Sequence, residues 1–134
     1  MEYISTRALN KATIEEALLS GTASDGGLYL PNEIPKIDLN DFSQLDDYAS
    51  FSSRMLSSYF YNSILEESLE RIISESFNFS VRLRNIDNES GSLSMLELYH
   101  GPTAAFKDFG ARFLAQCSAE IQNKQKDVIR TILV

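Results

Sequence analysis

The apolar residues of this chain change their spacing near residue 80, and that change limits the folds open to it. Before residue 80 they recur three and four apart, the repeat that lines one face of a helix. After it they alternate, as in a half-buried strand. Three helices are expected in the first part. One covers 13–20, where Thr13 and Glu16 have the spacing of a capping box and Gly21 supplies a stop. A second runs from about 41 to 61, with Leu45, Tyr48, Met55, Leu56 and Tyr59 on one face. A third runs from about 64 to 77. Ser63 and Glu66 again have capping-box spacing there, and Leu65, Leu69, Ile72 and Ile73 line one side. Between the first two, Asp25, Gly26 and Gly27 read as a turn and Leu28 to Leu30 as a short strand, closed by Pro31 and Pro35.

Beyond residue 80, "SVRLRNI" (80–86) alternates, "DNESG" (87–91) reads as a turn and "SLSMLELY" (92–99) as a strand. A helix follows at about 107–123, with Phe109, Phe113, Cys117 and Ile121 in register four apart. "DVIRTILV" (127–134) then reads as a buried strand. Strand, helix, strand opens an α/β unit with parallel strands. The expected fold class is therefore α/β: a helical N-terminal region over 1–79, then the incomplete beginning of an α/β domain over 80–134. A parallel sheet needs further strands and helices to cover its faces. Because the sequence ends on an apolar strand, the expectation is a fragment of something larger. The alternative is a small domain that buries this strand itself or across a dimer. An exposed final strand also favours self-association.

Charge and composition exclude several functions. The 134 residues carry a formal charge of −7, which argues against nucleic acid as the main partner, since phosphate neutralisation needs clustered Lys and Arg. No apolar run approaches the roughly 18–20 residues of a membrane span, so no membrane role is expected. "MEYISTRALNK" lacks the layout of a secretory signal. The single cysteine, Cys117, forms no internal disulfide and fits a reducing compartment, the cytoplasm. With one His and one Cys, a zinc site of the usual kind is not expected, and no metal is assigned.

The chemistry concentrates in "HGPTAAFKDFGARFLAQ" (100–116), which holds the only histidine of the chain. Lys107 lies at the expected start of a helix, where the partial positive charge and exposed N–H groups disfavour a second cation. Phe106 and Phe109 would help desolvate it. Both effects favour a neutral, nucleophilic amine, suited to Schiff-base formation. The residues alone leave a second reading open: Lys107 reaches past the rings to solvent, or pairs with Asp108. His100 is a candidate acid/base group or a structural hydrogen-bonder.

"ELYHGPTAAFKDFGARF" (97–113) resembles the cofactor-lysine motif of the threonine synthase family, fold type II enzymes that use pyridoxal 5′-phosphate (PLP). "YISTR" (3–7) is similar to that family's N-terminal signature and "GTASDGGLYLP" (21–31) to its next one. "TILV" (131–134) looks like the strand entering its Ser-Gly-Asp-Thr-Gly loop. The signatures stand in the family's order. Residues 36–90 match only in helical character. One departure is Ala104, where the family would suggest a larger apolar residue such as leucine.

The resemblance implies that Lys107 forms the Schiff base with PLP and moves protons during catalysis. It implies conversion of O-phospho-L-homoserine and water to L-threonine and phosphate, with PLP as electron sink. Asp108 and Phe106 would position the lysine, His100, Gly101, Pro102 and Thr103 would shape the turn, and Ala105 would admit a ring. Arg7 is the candidate within this chain for the substrate phosphate, with an ordinary surface arginine as the alternative. The Asp25, Gly26 and Gly27 turn is either near the site or a plain tight turn. Loops for the substrate carboxylate and cofactor phosphate would lie beyond Val134. The chain alone is therefore expected to be inactive and to bind PLP weakly or not at all. Two other functions stay open: a related phospho-lyase that makes no threonine, and a truncated structural or interaction domain.

Overall fold

A computed structural model describes residues 1–45, 47–88 and 91–125. The elements are β1 (Tyr3–Ser5), β2 (Lys11–Ala12), α1 (Ile14–Ser20), β3 (Tyr29–Pro31), α2 (Tyr48–Leu56), α3 (Leu69–Ser76), β4 (Arg82–Asn88), β5 (Gly91–Glu97) and α4 (Lys107–Lys124). Mixed helix and strand is the class the sequence indicated. Helix α1 forms where its caps place it. The Thr13 hydroxyl accepts from Glu16 N–H at 3.3 Å, and the Glu16 carboxylate accepts from Thr13 N–H at 2.9 Å. Gly21 ends the helix at φ +70°, donating its N–H to the Ala17 carbonyl; a side chain there would be strained.

The single helix expected over 41–61 is broken into three pieces. A 3₁₀ turn, Leu39–Phe42, is capped by Asp38, whose carboxylate accepts from Asn40 N–H. Asp47 then caps α2, accepting from Ser50 N–H at 2.8 Å and Ser50 Oγ at 2.6 Å. Aspartates compete for backbone N–H groups and so start helices rather than continue them. Leu45 consequently lies ahead of α2. A second 3₁₀ turn, Ser57–Tyr59, follows α2. The third expected helix also opens with a 3₁₀ turn, Glu66–Ser68, before α3. Its capping box does not form at the expected residues. Glu66 reaches Asn62 N–H instead, and Ser63 Oγ accepts from Leu65 N–H.

The N-terminal region is not purely helical. Strands β2, β1 and β3 make a small antiparallel sheet in that order, with Tyr3 opposite Ala12 on one side and Pro31 on the other. Strands of two or three residues leave no readable alternation in the sequence. The strand expected at Leu28 to Leu30 is shifted one residue onward. Further along, β4 and β5 form an antiparallel hairpin from Arg82 opposite Glu97 to Asn88 opposite Gly91. Leu83, Leu93, Met95 and Leu96 on it are exposed. The strand expected over 127–134, and the self-association expected through it, lie outside the described residues.

The core is built where α4 crosses α3. Ile72 and Ile73 of α3 and Cys117 and Ile121 of α4 are fully buried, joined by Tyr3, Ile14, Phe60, Leu65 and Leu69. Burial pushes the Cys117 thiol up to about 12, which closes it to nucleophilic chemistry. Polar contacts fix the crossing. Arg112 of α4 donates to the carbonyls of Ser76 (2.8 Å) and Glu75 (2.9 Å), placing a cation on the carbonyl end of α3. Glu120 accepts from Ser68 Oγ and Arg71, and Lys124 donates to the Ile64 carbonyl. We expect Ile73→Ala to lower unfolding free energy by about 2–5 kcal/mol. Leu83→Ala on the exposed hairpin should change it by no more than about 0.5 kcal/mol. Urea titrations of the two variants check the contrast.

Candidate functional site

Residues 98–106 carry the chain from β5 to α4, and Lys107 is the first residue of that helix. The Lys107 side chain is exposed and has no hydrogen bond or ion pair among the described residues. Its aromatic neighbours do not shield it. Phe106 is itself 68% exposed, whereas Phe109 is only 9% exposed and turns into a cluster with Tyr48, Phe77 and Phe79. The desolvation expected from the sequence is therefore absent. The helix repeat sends Phe109 to the core face and leaves Lys107 on the opposite side. Pairing with Asp108 is also excluded by the geometry, because that carboxylate points back into the loop.

Asp108 is 6% exposed and organises residues 101–108. Thr103 donates to it twice, from N–H to Oδ2 at 2.9 Å and from Oγ1 to Oδ1 at 2.8 Å. Gly101 lies against the same group: a Cβ there would sit 2.4 Å from Asp108 Oδ2 and 2.7 Å from its Cβ. A turn bond from Ala104 N–H to the Gly101 carbonyl closes the loop, with Ala104 at φ +54°. That left-handed backbone is costly for a residue with a Cβ. A bulkier residue at 104 would pay at least the same strain, so the departure noted in the sequence falls at a sharp reversal of the chain. Phe106, at the N-cap position, offers no side-chain cap. The loop and helix start are held by Asp108 instead.

His100 Nε2 lies 2.7 Å from Glu97 Oε2, and the His100 ring rests beside Tyr99. This contact ties His100 to the last residue of β5. The hydrogen bond from His100 is the main reason the Glu97 carboxyl is held below its usual range, opposed by desolvation and aided by Tyr99.

Arg7 and the Asp25 turn, singled out separately in the sequence, come together. Arg7 donates to the Asp25 carbonyl at 3.3 Å, and its backbone N–H donates to Ser5 Oγ. The Asp25 carboxylate accepts from Ser5 Oγ, Ala8 N–H and Gly27 N–H, which holds it below the usual carboxylate range, the Ser5 bond first. No hydrogen bond or ion pair among the described residues joins this cluster to loop 98–106. Two clefts open elsewhere, one between α2 and α3 and one between α1 and β3. No group of metal-ligating side chains occurs among the described residues. No helix there is long and apolar enough to cross a membrane.

The Asp108 latch and the Arg112 anchor were not read from the sequence, which assigned Asp108 only to positioning. The juxtaposition of Gly101, Thr103 and Asp108 in eight residues was the available signal. The Glu97 contact has a pH signature. Its folded-state acidity lies below the unfolded one, so its stabilisation is full above the usual carboxylate range and lost as pH falls. The stability gap between wild type and Glu97→Gln should narrow as pH falls through the carboxylate range, from about 5 to below about 4. Thermal denaturation across that range measures it.

Comparison with known proteins gives a consistent answer. A family model described as "Threonine synthase N terminus" matches residues 2–77. A threonine synthase from Serratia marcescens is 33% identical over 123 residues, covering 90% of this chain and 28% of the relative. The crystal structure of threonine synthase from Escherichia coli superposes with a TM-score of 0.80 at 31% identity, covering 90% of this chain and 28% of that one. A PLP-bound threonine synthase from Brucella melitensis gives 0.80 at 30% identity, over 94% of this chain and 28% of that one. The chain thus spans about 28% of the length of these relatives.

Proposed function

The chain belongs to the threonine synthase family, and we propose that it contributes the cofactor-bearing lysine, Lys107, to a PLP-dependent lyase. In this reading the complete enzyme converts O-phospho-L-homoserine and water to L-threonine and phosphate. The observation that carries it is the state of Lys107: exposed, without a hydrogen bond or ion pair among the described residues, at the start of a helix whose first turn is fixed by Asp108. An unpaired amine on a rigid support fits covalent attachment through Nζ, as does the Brucella relative being PLP bound.

When bound, PLP supplies the electron sink for carbanions formed on the substrate. Lys107 Nζ is the proton carrier in this reading, acting at the substrate Cα and Cβ. Asp108 orients that lysine, and Gly101 allows the loop to close against Asp108. Arg7 is the proposed donor to the substrate phosphate, supported by the way Asp25 and the Ser5 loop hold it. Further loops for the cofactor phosphate and substrate carboxylate belong to the remainder of the protein. Turnover is accordingly assigned to the full-length form and not to these 134 residues.

The division into a region over 1–79 and a PLP-binding domain from 80 is part of the proposal, supported by the family match ending at residue 77. Helix α4 nevertheless shares the core of the first region. A cytoplasmic location is proposed from the single buried cysteine.

Mixing PLP with the isolated chain should give little of the visible absorbance of lysine-bound cofactor. The complete gene product should give it stoichiometrically, and Lys107→Ala should abolish it there. A retained band in that variant would refute the assignment. Arg7→Ala should raise KM for O-phospho-L-homoserine by about ten- to a hundredfold, the worth of a charged hydrogen bond. Steady-state kinetics with phosphate release check it.

A further inference from the structure

We infer that Thr103 and Asp108 form a latch that positions Lys107, so that neither side chain serves as a ligand for cofactor or substrate. Taken alone, a threonine hydroxyl and a carboxylate beside the reactive lysine look like binding groups. Their geometry commits them to each other. Both Asp108 oxygens are occupied by Thr103 donors, at 2.9 and 2.8 Å, and the carboxylate is 6% exposed. Gly101 covers the same carboxylate so closely that no Cβ fits. An incoming ligand would therefore have to compete with two part-buried hydrogen bonds to use either residue.

The latch acts through the backbone. Asp108 is the second residue of α4, so holding its side chain to Thr103 fixes the first helical turn relative to the loop. Two turn bonds close that junction, Asp108 N–H to the Ala105 carbonyl at 3.1 Å and Phe109 N–H to the Phe106 carbonyl at 3.2 Å. Between them sits Lys107, whose side chain makes no hydrogen bond or ion pair among the described residues to set its direction. Its placement is inherited from the residues on either side. Asp108 is thus a positioning residue, and Thr103 is its required partner.

This inference rests on Lys107 being the PLP lysine, and two measurements separate the claims. The first is amide hydrogen exchange on the chain itself, which does not involve PLP. Thr103→Val should expose Asp108 and Phe109 amides to exchange about five- to tenfold faster, the effect of losing one net hydrogen bond, while Thr103→Ser stays within about twofold of wild type. The second uses the complete gene product at sub-saturating PLP. Borohydride reduction followed by mass spectrometry counts pyridoxyl groups on residue 107. Thr103→Val and Asp108→Asn should lower that count about five- to tenfold, and Thr103→Ser should restore it. Unchanged exchange in Thr103→Val would overturn the latch. Equal labelling of wild type, Thr103→Val and Asp108→Asn would overturn its role toward Lys107. Loss of labelling in Thr103→Val together with unchanged exchange would make Thr103 a ligand, again against the proposal. An unlabelled wild type would instead defeat the PLP assignment, leaving the exchange result to decide the latch.

Discussion

The crossing of α4 over α3 is the contact on which the rest of the molecule depends. Ile72, Ile73, Cys117 and Ile121 meet with no solvent exposure. Such a contact is stabilising through apolar burial but does not by itself set the direction of a helix. Direction comes from Arg112, whose guanidinium spans the last carbonyls of α3 and Asn78. At the other end Glu120 and Lys124 tie α4 to the chain just before α3. The helix is held at three points along its length. Its first residue, Lys107, is therefore carried at a defined place although its own side chain is exposed.

A reactive amine needs the opposite treatment from a core residue. It must be accessible, yet its backbone must not wander. Here the two demands are met by adjacent residues. Phe109 and Phe113 give α4 its grip on the aromatic cluster with Tyr48, Phe60 and Phe77, while Asp108 grips the preceding loop. Among the described residues, the hairpin of β4 and β5 contributes no side chain to the buried apolar cluster. Its leucines stay exposed, as in an element whose covering surface is supplied elsewhere.

Much of this was legible in the sequence because it rests on periodicity. Thr13 with Glu16, the buried faces of α3 and α4, and the hairpin follow from residue spacing alone. The misses share a cause: short-range competition for backbone N–H groups. Asp47 could be read as a continuation of a helix or as its cap, and only the fold shows that it caps. Glu66 could reach Ser63 or Asn62. The desolvated Lys107 failed for a different reason. Phe106 and Phe109 lie three apart and their rings meet each other at 5.9 Å, while Lys107 between them in sequence stays exposed, so the two aromatics flank the lysine in sequence without enclosing it in space. Lys107 was singled out from the motif around it, while the geometry at that helix start, a Thr103 to Asp108 contact across a left-handed Ala104, has no periodic signature.

The central claim is that Lys107 presents a free amine from a fixed helix start. Brief acylation of the native chain with an amine-directed reagent, mapped by mass spectrometry, tests it against Lys124 on the same helix, whose ammonium donates to the Ile64 carbonyl at 2.7 Å and lies 3.6 Å from Glu120. Lys107 should be modified first, and the difference should vanish when the chain is unfolded in urea. Equal rates in the native chain, or Lys124 reacting ahead of Lys107, would contradict the account.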